Sequence, residues 1–146
     1  MGNDAVLPPK LQAIVEDFGD SEGREKIELL IQYSENLPEI PPELQSDRSE
    51  MEAVEECMTP VFVQAQLQDG KMYFYFDVPR ESPTVRGFAV IMGEGLSGCT
   101  TQEVLAVPND FFSRLGLEQV LTMQRLNGLS AILAHMKRLA AQAISA

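Results

Sequence analysis

A β-hairpin signal in the middle of the chain constrains the fold more than any other feature of the sequence. Apolar side chains alternate with other residues from Val61 to Leu67, and the stretch from Met72 to Val78 is rich in aromatic residues. Between these two runs stands Gln68-Asp69-Gly70-Lys71, and an Asp-Gly pair in such a place is a strong signal for a tight turn. We therefore predict two antiparallel strands joined by this turn.

Helical patterns lie on both sides of the hairpin. Before it, apolar residues at helical spacing predict one helix from about Pro8 to Phe18 and a second that is capped by Asp20 or Ser21 and reaches Leu37. After it, the sequence predicts four helices: Thr84 to Met92, closing at Gly93; a short one capped at Thr100; another from Pro108 or Asn109 to Leu115; and a long C-terminal one from Thr122 to Ala143.

This order of elements indicates an α+β fold, in which helices flank a small antiparallel sheet. The prolines between Pro38 and Gln45 predict a surface loop without regular structure, and the acidic stretch Ser49 to Glu56 predicts a short helical turn. A chain of 146 residues with 45% hydrophobic residues fits one domain. We expect residues 1–6 to be a flexible N-terminus and residues 7–146 to form that domain.

The acidic composition narrows the choice of partners. The chain has 22 acidic and 11 basic residues, a formal net charge of -11, which argues against binding nucleic acid or an anionic membrane surface. The excess acid serves solubility or attracts a basic partner protein. No apolar run is long enough to span a membrane, and two cysteines without a signal peptide predict a reducing compartment, the cytoplasm.

Cys57 is the first candidate for chemistry. Free cysteines are more often small buried hydrophobes than reactive groups. Cys57, however, follows an acidic segment and precedes a strand, which predicts a place at the tip of a loop. Nearby carboxylates raise the pKa of a thiol, so Cys57 does not resemble a protease nucleophile. It suits a thiol that reacts only when a partner completes the site.

Three other features carry weaker signals. Cys99 precedes a predicted helix, whose N-terminus could lower its thiol pKa, although a loop cysteine with no role is the more common case. A disulfide with Cys57 stays open. His135, the single histidine, is expected at the surface or half-buried, and with two distant cysteines it makes no recognisable zinc site. Gly93 to Gly98 matches G-x-G-x-x-G, but no parallel strand follows, so we interpret these glycines as the end of a helix rather than a dinucleotide loop.

Two residues of the last helix stand out together. Arg125 lies near its start, where a solvent-exposed arginine is the ordinary expectation. Gly128 follows within the helix, where glycine costs roughly 1 kcal/mol against alanine. That cost predicts that another part of the chain packs closely against Gly128.

The order of several short motifs resembles the SufE family of sulfur acceptors over about Leu7 to Ala143. Val54-Glu55-Glu56-Cys57-Met58-Thr59-Pro60-Val61-Phe62 is similar to the family's Val-x-Gly-Cys-x-Ser-x-Val-Trp. Val85-Arg86-Gly87-Phe88 resembles its Val-Lys-Gly-Leu, and Arg125-Leu126-Asn127-Gly128-Leu129 resembles its Arg-x-x-Gly-Leu. The main departure is Glu56 in place of glycine, which changes the loop if that position needs a positive φ.

This resemblance implies a SufE/NifU-like fold and a function. Cys57 would take persulfide sulfur from a cysteine desulfurase, stimulate that enzyme, and relay the sulfur to scaffold proteins of iron–sulfur cluster assembly, with Arg125 in a supporting role. The chain would need no cofactor or metal of its own, because the pyridoxal phosphate belongs to the desulfurase. The alternative is a regulatory module that binds the desulfurase and carries no sulfur. In a plant, the compartment would be the plastid stroma.

Overall fold

The computed structural model describes residues 6–46, 49 and 51–145, and the predicted hairpin lies at its centre. Strands β2 (Phe62–Gln68) and β3 (Lys71–Asp77) pair antiparallel along their full length. Asp69 and Gly70 form the turn with φ of 53° and 78°, the left-handed conformations that a two-residue hairpin turn of this type needs. The predicted hairpin is therefore confirmed.

A third strand extends the sheet on the β2 side. Strand β1 (Glu52–Ala53) pairs antiparallel with β2, with Glu52 opposite Val63, so the order is β1-β2-β3. The helical turn predicted for Ser49 to Glu56 is wrong at this strand. The free edge of β2 offers hydrogen-bonding partners that a local pattern does not reveal, and the Val54 amide also donates to Val61 O at 2.9 Å.

Two helices precede the sheet. Helix α1 (Pro9–Gly19) matches its prediction, while α2 (Arg24–Ser34) begins after Gly23 rather than after a cap at Asp20 or Ser21 and ends before Leu37. The predicted loop from Pro38 to Gln45 contains the start of a short helix, α3 (Pro42–Ser46), so that prediction is wrong in part. Proline is tolerated in a first helical turn, because no intrahelical bond uses its missing N–H there.

The helices after the sheet complete the fold. Helix α4 (Pro83–Leu96) continues past the predicted end at Gly93, α5 (Thr101–Leu105) begins with the predicted capping box, and α6 (Met123–Ser145) is the predicted long C-terminal helix. Between α5 and α6, 3₁₀ turns replace the predicted short helix, over Phe111–Leu115 and Leu117–Gln119. The described residues thus form a three-stranded antiparallel sheet with six α-helices, which confirms the α+β prediction.

One face of the sheet joins the core. Opposed pairs across β2 and β3 alternate, so Val63 faces Phe76 and Ala65 faces Phe74 on the covered side, while Gln64 faces Tyr75 on the partly exposed side. Helix α6 packs along β2, and α4 packs on β3 and on α1 and α2. This packing fixes the N-terminal ends of α4 and α6 relative to the turn between β1 and β2, which contains Cys57.

Of the expected flexible segment 1–6, only Val6 lies within the described residues, and there it is exposed. The remaining prediction for that segment falls outside them. No helix in the described ranges combines the length and apolar character needed to cross a membrane.

Candidate functional site

Cys57 lies in the turn that connects β1 to β2. Its amide donates to Val54 O at 3.2 Å, which closes the turn. The side chain is half-buried and packs against the hydrophobic core, and the thiol is free. Cys57 is thus held at the boundary between the core and the surface, as its predicted loop position requires.

Gly128 in α6 provides the surface against which Cys57 packs. A Cβ atom at this position would lie 3.0 Å from Cys57 Sγ and 3.7 Å from its Cα, closer than side chains normally pack. The helix backbone therefore touches the cysteine directly. The close approach predicted for Gly128 is confirmed, and its partner is the candidate cysteine.

An open cleft of about 660 Å³ lies in front of the thiol. Its walls come from the cysteine turn, the first turn of α4 and the first turns of α6. The lining residues are 57–59, 81–85, 121–122, 124–125 and 128. Because helix N-termini carry partial positive charge, two of them around one cleft favour a negatively charged group there.

Arg125 lines the same cleft. Its Nη1 donates to Thr84 Oγ1 at 3.0 Å, which ties the start of α6 to the start of α4. The side chain is exposed, and it is the only cation among the described residues that line the cleft; Glu81 is the only carboxylate. Thr59 Oγ1 bonds to Ser82 Oγ at 3.1 Å and joins the cysteine turn to α4 in a similar way. The structure therefore brings the two predicted site residues to one cleft.

The surroundings of Cys57 favour the neutral thiol. Burial raises its pKa, and the negative charge of Glu56 raises it further, while the Thr59 amide acts in the opposite direction. Since only the thiolate is a strong nucleophile, Cys57 is expected to be weakly reactive in the protein by itself. This agrees with the expectation drawn from its acidic neighbours.

His135 is the residue that sequence reasoning undervalued. It is half-buried, as expected, but both of its ring nitrogens contact carboxylates: Nδ1 contacts Glu52 and Nε2 lies 2.9 Å from Glu56 Oε1. One signal was available in the sequence, because His135 lies seven residues after Gly128 and therefore on the same face of α6. The partner of that face was not visible from the sequence.

The replacement of the family's glycine by Glu56 does not strain the loop. Asp69 is the only described non-glycine residue with a positive φ, so Glu56 adopts an ordinary backbone conformation. Its carboxylate is exposed and turned to His135. The concern that this position demands glycine is therefore resolved by the backbone geometry.

Cys99 lies elsewhere and in a different environment. It is buried at the end of the hairpin, where its carbonyl accepts from the Met72 amide at 2.7 Å, and its thiol is free, so no disulfide joins it to Cys57. Burial and Glu103 raise its pKa, although Lys10 opposes them. The predicted lowering by the helix N-terminus is wrong because burial dominates.

The glycine motif is part of a helix. Gly93 and Gly95 lie inside α4, and only Gly98, with φ of 85°, lies beyond its end. A Cβ on Gly95 would be 2.5 Å from Leu11 Cδ1, so this glycine serves the packing of α1 on α4. The interpretation of Gly93 as the helix end is wrong, and α4 presents no phosphate-binding loop here. Nor do any three His, Cys, Asp or Glu side chains in the described ranges form a group able to hold a metal ion.

Comparisons with known proteins agree with this geometry. Residues 12–140 match the family model SufE, described as an Fe-S metabolism associated domain. An uncharacterised SufE-like protein of Mycobacterium tuberculosis is 40% identical over 135 residues, which cover 92% of this chain and 93% of that protein. The sulfur acceptor protein CsdE of Escherichia coli is 31% identical over 109 residues, 74% of this chain and 71% of that protein.

A solved structure has the same fold. The solution structure of a hypothetical protein from Thermus thermophilus superposes with a TM-score of 0.84 at 38% identity, covering 97% of this chain and 100% of that one. The match of sequence and fold along nearly the whole chain leads to one conclusion. The chain belongs to the SufE family.

Proposed function

We propose that this protein accepts sulfur from a cysteine desulfurase on Cys57 and delivers it to iron–sulfur cluster assembly. The observation that carries the proposal is the placement of Cys57: a free thiol packed on Gly128, at the edge of an open cleft, in a chain of the SufE family. CsdE, a relative of this chain, is named as a sulfur acceptor.

The chemistry is an exchange at sulfur. The Cys57 thiolate attacks the outer sulfur of the donor's cysteine persulfide, the donor's S–S bond breaks, and the inner sulfur leaves as a thiolate. A new S–S bond forms on Cys57, so the electrons balance without an external oxidant. The proton released by the Cys57 thiol ends on the donor's cysteine.

The cleft supports this role in two ways. A persulfide is anionic near neutral pH, and the helix ends together with the Arg125 guanidinium favour a negative charge near Cys57. The cleft also keeps the bound sulfur partly out of water. Arg125 has a supporting role in this proposal, through its charge and its bond to Thr84.

The surface around the cleft fits a protein partner. Met58, directly after the cysteine, is 80% exposed, and Met123, at the start of α6, is 73% exposed. Exposed methionines are adaptable contacts at protein-binding surfaces. We propose that the desulfurase docks here, brings the donor persulfide into the cleft and supplies the positive surroundings that form the Cys57 thiolate.

The remaining parts of the proposal follow from this chemistry. The pyridoxal phosphate that generates the persulfide belongs to the desulfurase, and a scaffold protein takes the sulfur onward. We propose the cytoplasm as the compartment, since a persulfide carrier needs Cys57 kept as a free thiol. Stimulation of the desulfurase follows, because removing the persulfide frees the enzyme for its next turnover.

The test is sulfur loading by a desulfurase. The protein is incubated with a desulfurase and cysteine, and its mass is measured; wild type should gain about 32 Da for one sulfur atom. Cys57→Ser should gain nothing, while the matched control Cys99→Ala should load like wild type. An adduct that persists in Cys57→Ser would contradict the proposal.

A second measurement separates sulfur transfer from regulation. Desulfurase turnover is compared with wild type and with Cys57→Ala. Sulfur acceptance predicts that only wild type stimulates turnover. Equal stimulation by both proteins would instead identify a regulatory module that binds the enzyme without carrying sulfur, a reading to which the weak reactivity expected of the Cys57 thiol also lends support.

A further inference from the structure

Helix α6 contacts the cysteine turn at two places. Gly128 contacts Cys57 itself. His135, two helical turns further on, contacts the carboxylates of Glu52 and Glu56. Glu52 belongs to β1, and Glu56 directly precedes Cys57. The single histidine of the chain thus bridges the segment that carries the candidate reactive thiol.

The two contacts favour the charged form of this histidine. A carboxylate oxygen only accepts hydrogen bonds, and a neutral imidazole has only one N–H to donate. Donation to both Glu52 and Glu56 therefore requires the imidazolium form. Burial opposes that charge, but the two carboxylates outweigh it, and the pKa of His135 is raised.

Among the residues that the structure describes, one other charged group lies close to this histidine. Arg138, on the same helix, contacts Glu52, and its Nη2 lies 3.1 Å from His135 Nδ1. Arg138 therefore shares Glu52, whereas His135 is the one side chain described as a hydrogen-bond partner of the Glu56 carboxylate. The hydrogen bond from His135 is the chief cause of the lowered pKa of Glu56, and a bond from its own backbone amide and the charge of Arg138 lower it further.

The charge of Glu56 matters to Cys57 because the two residues are adjacent. A negative charge next to a thiol opposes formation of the thiolate. The other charged side chains at the cleft, Glu81 and Arg125, lie on its α4 and α6 walls. An imidazolium bound to Glu56 balances its charge and keeps the carboxylate on the α6 side of the turn.

We propose that His135 is a positioning residue for Cys57: its bridge to Glu52 and Glu56 fixes the cysteine turn on α6 and offsets the Glu56 charge beside the thiol. The proposal rests on the proposed function, since it takes Cys57 as the reacting group. It also gives a role to Glu56, which replaces the glycine of the family pattern: with its partner on α6, it makes a side-chain clamp for the turn.

The experiment measures the alkylation of Cys57 by iodoacetamide between pH 6 and pH 9 (about the range in which imidazolium and thiol titrate). The Cys99→Ala background leaves Cys57 as the only thiol. Four variants are compared in it: His135→Gln, Glu56→Gln, both together, and Lys137→Gln. Lys137 is the matched control, because it neighbours His135 but contacts Val107 and Asn109 instead of the cysteine turn. Melting curves establish that each variant is folded.

We expect His135→Gln to slow alkylation at neutral pH by roughly threefold. The drop in thiolate is partly compensated, because a thiolate of higher pKa is the better nucleophile. The difference from the parent should vanish above the raised pKa of His135, where the parent histidine is also neutral. Glu56→Gln should accelerate alkylation, and Lys137→Gln should match the parent. In the double variant, the loss of His135 should slow alkylation less than it does in the parent, because only its contact with Glu52 remains to be lost.

Two results would overturn the proposal. One is a His135→Gln variant that is folded and keeps the parent's rate at every pH. The other is a double variant that is slower than Glu56→Gln by as much as His135→Gln is slower than the parent, since His135 would then act without Glu56. Alkylation needs no desulfurase, so it separates this inference from the proposed function: a slowed His135→Gln in a protein that accepts no sulfur would support the clamp and contradict the sulfur acceptor.

Discussion

The two cysteines of this chain differ in what surrounds them. Cys99 is buried, its main chain is fixed to Met72, and its thiol lies 3.8 Å from Gly95 O. Cys57 is half-buried and sits on a turn held by side chains of α6, with an open cleft in front. Burial raises the pKa of both thiols, so acidity does not distinguish them. The difference between them lies in the access to the thiol and in the cleft beside it.

The largest expected effect concerns access to the two thiols. In native protein, iodoacetamide should modify Cys57 faster than Cys99 by on the order of a hundredfold, because Cys99 reacts only after local opening. Peptide mapping after short exposure measures the two rates, and denatured protein, in which both should react alike, is the control. Equal alkylation rates in the native protein would show that the two thiols do not differ in access.

The second-largest expected effect is on sulfur transfer, and it comes from removing the positive charge at the cleft. Arg125→Gln removes the cation from the described cleft lining but keeps a hydrogen-bonding side chain for Thr84. We expect sulfur loading onto Cys57 to slow by about tenfold, because the anionic persulfide loses a stabilising charge. Single-turnover mass spectrometry follows the rate. Arg114→Gln, outside the cleft, is the matched control, and equal slowing in both variants would point to overall charge instead.

Gly128→Ala should change the reactivity of Cys57 and leave that of Cys99 unchanged. The new methyl group would lie 3.0 Å from Sγ and push the thiol away from α6 into the cleft. We expect alkylation of Cys57 to rise about twofold, because desolvation falls, and that of Cys99 to stay constant. The gain in helix propensity, about 1 kcal/mol, should offset most of the packing cost, so denaturant unfolding should change little. Slower alkylation of Cys57 would show that the thiol moves inward.

The Cys99→Ala variant tests whether Cys99 contributes to stability and not to sulfur transfer. Removing a buried thiol from a packed site should lower the free energy of unfolding by about 1 kcal/mol, through lost contacts and a small cavity. Sulfur loading on Cys57 should keep its wild-type rate. Urea denaturation measures the first quantity, and a loss of loading in a stable variant would assign Cys99 a part in the chemistry.

The smallest expected effect is a pH dependence of the folding stability, which comes from the His135 bridge beside Cys57. The folded state raises the pKa of His135, so its bridge contributes stability that is full below the unfolded value near 6.5 and is lost as pH rises through the folded pKa. We expect the loss to be small, since Glu56 is exposed and its pair with His135 is screened by solvent. Urea midpoints against pH should show this step in wild type and lack it in His135→Gln.

Local sequence patterns predicted most of the secondary structure, but they missed the elements that depend on packing with distant parts of the chain. The hairpin, the capping box at Thr100 and the long last helix follow from turn chemistry and periodicity. Strand β1 was missed because its two residues pair with β2 and carry no pattern of their own. Helix α4 was predicted too short because Gly95, a helix breaker by propensity, is required where α1 packs.

The sequence alone determined the fold class, the family resemblance and the candidates Cys57 and Arg125, since these depend on order and spacing along the chain. It also indicated that something packs against Gly128. Only the tertiary structure decided that this partner is Cys57, that Arg125 shares its cleft, and that His135 contacts Glu52 and Glu56. These contacts join residues from 68 to 83 positions apart, and side-chain packing between distant segments leaves no periodic signal in one sequence.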